Sequence, residues 1–321
     1  MKQKRKVHLK RKSSKVPTLG NLHILEIDPT KMYKIEGKTV NKSEAFKYYK
    51  SQAEKGDVNA MNACGYMLYN GDGIAKNKSE AIQYFKMAID KWDSEAMFIY
   101  GYLLKNGDGV EKDEEEAIKN YQTSADLGYL PAIKLYGLEL ASENGPHKNK
   151  EEGFRFFKVG SEMGDLYCSC YCGYMLDEGD GIPINKAEAI EYYKIGVNKG
   201  DKDSLRNYSY LLENGDGIKM NKEEANKCLK KAVDLGDPRS IEHYANKLND
   251  GDGIPINKKE AFKYFKILAD DGNSSAMFIC GEKLEKWEGV EMNKEEALKY
   301  YKKAADKGDS SAMNNYANML Y

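Results

Sequence analysis

The sequence predicts an all-α solenoid built from eight helix-turn-helix repeats, each 36 residues long. The main observation is the motif N-K-x-E-A at positions 41–45, which returns every 36 residues as far as the C-terminus. Its last position holds Gly153 in the fourth repeat and alanine in the other seven, at Ala45, Ala81, Ala117, Ala189, Ala225, Ala261 and Ala297. A fixed period between about 20 and 50 residues indicates a stack of small supersecondary structures and not one globular core.

Each repeat opens with a helix-start signal. An Asn or Asp is followed three residues later by Glu, and these pairs begin at positions 41, 77, 113, 149, 185, 221, 257 and 293. The first side chain can accept a hydrogen bond from a backbone amide, and the glutamate can complete a capping box. The predicted helix ends at a glycine such as Gly56 or Gly128, because glycine takes a positive φ without a Cβ clash.

A second helix follows in each repeat and usually closes at a G-D-G turn, as at 71–73 and 107–109. A leucine recurs near its end in all eight repeats, at Leu68, Leu104, Leu140, Leu176, Leu212, Leu248, Leu284 and Leu320. A calcium loop is not indicated, because Ile74 and Ala75 stand where further oxygen ligands would be needed. We therefore interpret the G-D-G turn as a helix stop.

Together, both helices, both turns and their spacing resemble the Sel1-like repeat of the tetratricopeptide-like superfamily. The pattern is A-x-x-Y-[YF]-K, then G-x-x-x-A, [YC]-G-x-x-L and G-x-G-[VI], over residues 41–321. The resemblance implies a right-handed superhelix that acts as a non-enzymatic scaffold or adaptor for other proteins. Cysteine-rich relatives with β-lactamase activity carry a cysteine pair in every repeat. This chain does not, so a hydrolase of that type is the remote alternative.

Charge separates a basic N-terminal segment from an acidic array. Residues 1–40 contain eleven Lys and Arg against three Asp and Glu, whereas the whole chain contains 50 against 51. We predict a basic, disordered arm with a short docking segment at 1–40, and the repeat array at 41–321. No apolar run is long enough for a secretory signal or a membrane span. This predicts an intracellular, cytoplasmic protein, with a nuclear address in the basic arm as the alternative.

No set of residues predicts catalysis, a metal site or a cofactor. The chain has six cysteines, at Cys64, Cys168, Cys170, Cys172, Cys228 and Cys280. A C-x-C-x-C run on one helix does not converge on a tetrahedral ion, and small buried thiols explain the cysteines without chemistry. The four histidines have no nucleophile or metal partner at a useful spacing. We therefore predict no metal, no cofactor and no enzymatic activity.

The exposed face of the first helices is a candidate partner-binding surface. Two rows of mostly basic residues recur there and supply the candidates Lys47, Lys50, Lys86, Lys119, Arg155, Lys158, Lys194, Lys227, Lys230, Lys263 and Lys266. One interpretation is a basic groove for acidic or phosphorylated ligands, with nucleic acid disfavoured because the array is net acidic. The other is simple helix stabilisation, because an acidic residue follows most of the second row at i+4.

Two tryptophans and the last repeat give the remaining candidate surfaces. Trp92 stands where other repeats have the helix-ending glycine, and Trp287 replaces the first glycine of a G-D-G turn. Each is either an interface residue or a ring folded over its own repeat. We expect that no capping helix covers the final repeat. Ala312, Tyr316 and Leu320 therefore form a candidate docking face, for self-association or for another protein.

Overall fold

The computed structural model describes residues 33–35, 38–143, 145 and 147–320. Within these residues the helices form eight consecutive pairs, which confirms the predicted all-α solenoid of helix-turn-helix repeats. The elements are β1 (Tyr33–Ile35), β2 (Lys38–Val40), α1 (Lys42–Glu54), α2 (Val58–Asn70), α3 (Lys78–Ile89), α4 (Ser94–Asn106), α5 (Glu114–Asp126), α6 (Leu130–Ala141), α7 (Lys150–Glu162), α8 (Leu166–Glu178), α9 (Lys186–Asn198), α10 (Lys202–Asn214), α11 (Lys222–Asp234), α12 (Pro238–Asp250), α13 (Lys258–Asp270), α14 (Ser274–Lys286), α15 (Lys294–Asp306) and α16 (Ser310–Leu320).

A short antiparallel hairpin, β1 and β2, precedes the first helix and was not predicted. Tyr33 pairs with Val40, and Ile35 pairs with Lys38. The sequence signal is a pair of short runs containing β-branched residues, separated by two residues that end in Gly37. Strand β1 lies beside α1. The predicted basic arm and most of the docking segment fall outside the described residues.

Backbone hydrogen bonds explain the motif that opens each repeat. The N-cap side chain accepts from the amide three residues later, as Asn41 does from Glu44 at 2.9 Å. From the second repeat onward, the N-cap backbone N–H donates to the recurring leucine of the preceding helix, as Asn77 does to Leu68 at 2.9 Å. In the first repeat, Asn41 N–H instead donates to the Glu44 carboxylate and completes the capping box. The motif therefore caps one helix and links it to the helix before it.

Neighbouring repeats also meet where a helix glycine lies under an aromatic ring. A Cβ added at Gly65 would lie 2.5 Å from the Phe85 ring, and one at Gly281 would lie 2.6 Å from the Tyr301 ring. Both rings are fully buried. Because a Cβ–carbon contact below 3 Å forces something to move, glycine allows this close approach.

In the five repeats that contain it, the G-D-G turn closes the repeat onto its own first helix. Asp72 pairs with Lys42, and Asp216 pairs with Lys186 at 2.9 Å. At Gly73, φ is +78° and an added Cβ would lie 2.2 Å from Cβ of Lys42. The turn is thus the helix stop that the sequence predicted, and its aspartate also forms an ion pair at the start of the first helix.

The chain divides into two compact units. The N-terminal unit runs to Met175 and includes Gly179–Pro183, and the C-terminal unit contains Leu176–Glu178 and the chain from Ile184 onward. In the N-terminal unit, side chains such as Ile99 and Leu103 form a core between successive helix pairs. In the C-terminal unit, Phe265, Leu268 and Tyr301 have the same role. Each core therefore extends along the repeats, and second helices such as α4 and α8 are buried or half-buried along almost their whole length.

Candidate functional site

The six cysteines are buried side chains. None of the six forms a disulfide bond within the described residues, and each has an exposed fraction of at most 2%. Burial raises the pKa of Cys64 and Cys280 to about 12 and that of Cys228 to about 11. A thiol that stays protonated at neutral pH is a poor nucleophile and a poor metal ligand. The part of the chain that the structure describes also contains no group of three or more Cys, His, Asp and Glu placed to hold a metal ion.

The predicted lysine rows lie on the first helices, and their members have two kinds of surroundings. Most are exposed: Lys47, Lys50, Lys86, Lys119, Arg155, Lys158, Lys227, Lys263 and Lys266. Several residues of these rows pair with a carboxylate of their own helix, as Lys227 does with Glu223 at 2.8 Å and Lys230 with Asp234 at 2.6 Å. Arg155 pairs with Glu151 and Lys194 with Glu191 in the same way. Helix stabilisation thus accounts for part of each row, and a binding role for the remainder stays a prediction.

Some lysines of the second row also lie over tyrosine rings. The Lys86 Nζ atom is 5.0 Å from the centroid of the Tyr100 ring, and Lys230 Nζ is 5.6 Å from that of Tyr244. Such cation–π contacts stabilise a partly exposed lysine by roughly 0.5–1 kcal/mol. In the first, fourth and seventh repeats a cysteine takes the tyrosine position, at Cys64, Cys172 and Cys280.

Both tryptophans extend away from the repeats. Each has an exposed fraction of 71%, so the interpretation of a ring folded over its own repeat is wrong. Their φ angles, 61° at Trp92 and 59° at Trp287, lie in the left-handed region. A residue with a Cβ costs about 1–2 kcal/mol there, which explains why other repeats use glycine. The two rings remain candidates for partner contact.

The predicted C-terminal docking face is narrower than expected. Ala312 is fully buried, because α16 packs it against α15 in the core of the C-terminal unit, so its inclusion in that face is corrected. Tyr316 is half-buried, whereas Leu320 is 59% exposed and Met313 is 48% exposed. Self-association through Tyr316 and Leu320 stays a prediction.

A row of exposed apolar side chains was missed by the sequence argument. It occupies the position directly before the N-cap of α9, α11, α13 and α15, and we call it the edge row: Ile184, Met220, Ile256 and Met292. These side chains are 62%, 57%, 63% and 56% exposed. In the N-terminal unit the equivalent position holds Lys76, Lys112 and Lys148 before α3, α5 and α7, and Val40 before α1. The sequence feature that could have revealed this row is an apolar residue directly before the N-cap, which recurs every 36 residues from Ile184 to Met292.

The C-terminal unit also buries charged side chains. Lys247 is 3% exposed and donates to Glu213 at 2.5 Å, and His243 Nε2 lies 3.2 Å from the same carboxylate. Hydrogen bonds from His243 and Lys247 lower the pKa of Glu213 to about 2. Burial lowers the pKa of Lys283, which donates to the side-chain oxygen of Asn249. Each of these lysines finds its acceptor on the preceding second helix, so the contacts hold the repeats together.

Comparison with protein-family models identifies the class. The Sel1 repeat model matches residues 35–57, 58–91, 94–129, 167–201, 202–237, 244–273 and 274–309. These segments cover most of the chain, which belongs to the Sel1 repeat family, as its sequence pattern predicted. The stretch between 130 and 166 is not matched, yet α6 and α7 form there. The N-cap of α6 is Tyr129, whose side chain makes no capping hydrogen bond. Sel1 repeat proteins are generally protein–protein interaction scaffolds.

Two solved structures share the fold. The protein c5321, a protective antigen present in uropathogenic Escherichia coli strains and displaying an SLR fold, is 26% identical with a TM-score of 0.77. The alignment covers 85% of this chain and 59% of c5321, so the chain spans about three fifths of that protein. A Sel1 repeat protein from Oxalobacter formigenes is 21% identical with a TM-score of 0.75, over 87% of this chain and 81% of that protein. A search of curated protein sequences returned no match. Among the described helices, none has the length and apolar character required to cross a bilayer.

Proposed function

We propose that this chain is a non-enzymatic scaffold that binds partner proteins along the edge row of its C-terminal unit. The observation that carries the proposal is the row itself: four apolar side chains, each more than half exposed, that recur once per repeat. Single exposed apolar residues are ordinary on protein surfaces, whereas an aligned set is typical of an interaction site. Repeat arrays are suited to this role because each repeat adds the same position to an extended surface.

The N-terminal unit supports this proposal as an internal comparison. Lys76, Lys112 and Lys148 occupy the same position before the first helix. The repeat backbone therefore accepts a charged side chain at this position, and folding does not require an apolar one. The exposed apolar side chains of the edge row are therefore better explained by a contact with another protein than by packing within the core.

Trp287 extends the apolar character of this region. It lies in the turn between α14 and α15, five residues before Met292, and 71% of it is exposed. Tryptophan is enriched among the residues that dominate binding energy at protein interfaces. We therefore assign Trp287 to the same partner surface as the edge row.

Buried thiols support the non-enzymatic part of the proposal and its cellular setting. The raised pKa values of Cys64, Cys228 and Cys280 argue against a nucleophilic role for these residues. We also place the protein inside the cell, because six cysteines without a disulfide bond among the described residues are typical of a reducing compartment. Hydrolysis of a chromogenic β-lactam by the purified chain would contradict the first part.

A fourfold substitution tests the edge row directly. The variant Ile184→Lys/Met220→Lys/Ile256→Lys/Met292→Lys gives the C-terminal unit the residue that the N-terminal unit already carries. Tagged full-length chain is expressed in the source organism, and cross-linked partners are recovered and quantified by mass spectrometry. We expect recovery of specific partners to fall by about tenfold or more, because several apolar anchors are lost together.

The control adds the same charge elsewhere in the C-terminal unit. Asn198, Asn246, Ser275 and Asn318 are exposed polar residues, and each is replaced by lysine in the control. Circular dichroism checks that both variants fold. Equal recovery from the edge-row variant and the control would reject the proposal.

A further inference from the structure

We infer that the first helices of the sixth, seventh and eighth repeats form a binding site for an extended acidic protein segment. The site is the basic band, which we define as the lysines between positions 227 and 231 of α11, 263 and 266 of α13, and 299 and 303 of α15. All of these residues belong to the C-terminal unit. The inference rests on the proposed function, since it specifies the chemistry of one partner on a second surface of the same unit.

Positive charge is concentrated on these three helices. The basic band contains eight lysines on three helices. The equivalent positions of α1, α3, α5 and α7 hold six basic residues on four helices, with Gln83 and Gln122 at two of the lysine positions. Within each stretch of the band, no Asp or Glu interrupts the lysines. The C-terminal unit therefore presents a stronger positive field here than the N-terminal unit does at the same positions.

Five lysines of the band have ammonium groups available for a ligand. Lys227 pairs with Glu223, Lys230 with Asp234, and Lys299 with Glu295 at 3.6 Å. The other five make no ion pair within 4.0 Å among the residues that the structure describes; they are Lys231, Lys263, Lys266, Lys302 and Lys303. All five are exposed. An acidic ligand can therefore pair with them without first breaking a carboxylate contact.

Contacts between the helices define the spacing of the band. Lys230 Nζ on α11 donates to the Tyr264 hydroxyl on α13 at 3.0 Å, so a side-chain contact joins these two first helices. A step of about 10 Å from one first helix to the next corresponds to about three residues of an extended chain, which advances about 3.3 Å per residue. We therefore assign one acidic residue in three to each helix. Ile267, which is 46% exposed, lies beside Lys263 and Lys266 and can contact an apolar residue of the ligand.

The borders of the band favour a protein segment over nucleic acid. Acidic residues precede the band on each helix (Glu224, Glu260 and Glu296) and follow it (Asp234, Asp270 and Asp306). Five residues of helix are only about 7 Å long, so the positive strip is narrow and a broad polyanion would also meet these carboxylates. Tyr300 is 7% exposed and Tyr264 is engaged by Lys230, which leaves no free aromatic platform for base stacking on these two residues.

Peptide binding to the full-length chain provides the test. The probe is a fluorescent nine-residue peptide with Glu at positions 1, 4 and 7 and Gly or Ser elsewhere. One control peptide has the three Glu residues adjacent, and another replaces them with Gln. Fluorescence anisotropy at about 25 mM salt limits screening of the contact. We expect the spaced acidic peptide to bind more tightly than both controls.

Matched variants locate the site. Lys263→Glu/Lys266→Glu changes the band, and Lys47→Glu/Lys50→Glu changes the equivalent positions of the first repeat with the same change in net charge. We expect the band variant to weaken peptide binding by about tenfold or more, and the first-repeat variant by less than about threefold. Circular dichroism checks that both remain folded.

Three results would overturn the inference. They are no binding of the spaced peptide at low salt, equal weakening by both variants, and tighter binding of a single-stranded RNA that the peptide cannot displace. Partner recovery from the edge-row variant tests the proposed function independently of peptide binding to the basic band. Failure of the peptide while that variant still loses its partners removes only the acidic-segment site, whereas peptide binding with no effect of the edge-row variant removes only the edge-row proposal.

Discussion

The two units use the same repeat but differ at two of its equivalent positions. Before the first helix, three of the four repeats of the N-terminal unit have lysine, as at Lys112, where the C-terminal unit has the edge row. Within the second helix, the buried lysines Lys247 and Lys283 stand where the N-terminal unit has Met67, Leu103, Glu139 and Met175, and where the fifth repeat has Leu211. The repeat backbone is thus compatible with apolar and charged side chains at both positions.

The buried lysines are accommodated because their partners change with them. Lys247 and Lys283 each find an acceptor 34 residues earlier, at Glu213 and Asn249. In the N-terminal unit the same pair of positions holds Lys105 and Glu139 in reverse, and this pair is more exposed. This comparison indicates that the helix caps, the turns and the glycine–aromatic contacts determine the repeat structure. Two interior positions that contact each other can differ between repeats, provided that both residues change together.

The largest expected effect is the loss of the partner of Lys247. Glu213→Ala leaves a buried ammonium group unpaired, which should lower the free energy of unfolding of the C-terminal unit by about 3–5 kcal/mol. The matched change Glu139→Ala removes a more exposed pair and should cost about 1 kcal/mol or less. Urea denaturation combined with hydrogen exchange would assign each loss to its unit. Equal costs would show that the two pairs do not differ as described.

Gly65→Ala and Gly281→Ala should destabilise both units to a similar, smaller extent. The new Cβ would lie 2.5 Å from the Phe85 ring or 2.6 Å from the Tyr301 ring, and overpacking of this kind costs about 1–2 kcal/mol. Ala245 and Phe265 occupy the positions equivalent to Gly65 and Phe85, so the repeat already contains an alanine opposite an aromatic ring. We therefore expect a destabilisation at the low end of this range. Thermal melting would measure it. The second change Phe85→Leu should restore part of the stability, and no rescue would contradict the contact.

Acidification should weaken the C-terminal unit through Glu213. Its folded-state pKa is lowered from 4.5 to about 2, so its stabilising contribution is present above pH 4.5 and is lost as the pH falls towards about 2. Burial raises the pKa of Asp203 in the same unit, so protonation of Asp203 favours the folded state as the pH falls and opposes the effect of Glu213. To isolate the contribution of Glu213, the acid dependence of the unchanged chain is compared with that of Glu213→Gln. Hydrogen exchange of α10–α12 across this range should show a smaller acid dependence in that variant. An unchanged acid dependence would contradict the assignment.

The smallest effect is expected at the tryptophans. Trp92→Gly and Trp287→Gly each relieve a positive φ, and stability should rise by up to about 1 kcal/mol in thermal melting. Partner recovery should fall for Trp287→Gly but not for Trp92→Gly, because Trp287 belongs to the proposed partner surface. Loss of partner with Trp92→Gly alone would move that surface to the N-terminal unit.

Local signals predicted the repeat itself. The Asn-x-x-Glu caps, the glycines after the helices and the recurring leucines act within one or two repeats, so their roles follow from spacing alone. The burial of Ala312 was also readable, because the equivalent residues Ala60 and Ala276 belong to the packed face of their helices. A comparison across all repeats would have excluded Ala312 from the docking face.

Long-range contacts and exposure were not predictable in the same way. Lys247 would be expected on an exposed face, and its burial depends on Glu213, 34 residues earlier. The edge row was missed because an apolar residue before a helix normally packs on the first turn as a hydrophobic staple. Here Ile184, Met220, Ile256 and Met292 remain exposed, and only the structure distinguishes the two arrangements.

Site-specific photo-cross-linking tests the central claim most directly. A photoreactive amino acid is placed, one site at a time, at 184, 220, 256 or 292 in the edge row and at 76, 112 or 148 in the N-terminal unit. The full-length chain is irradiated in cells of the source organism, and the cross-linked proteins are identified. We predict that the edge-row sites capture the same partner and that the matched N-terminal sites do not. Equal capture at both sets of sites, or no capture at the edge row, would contradict the account.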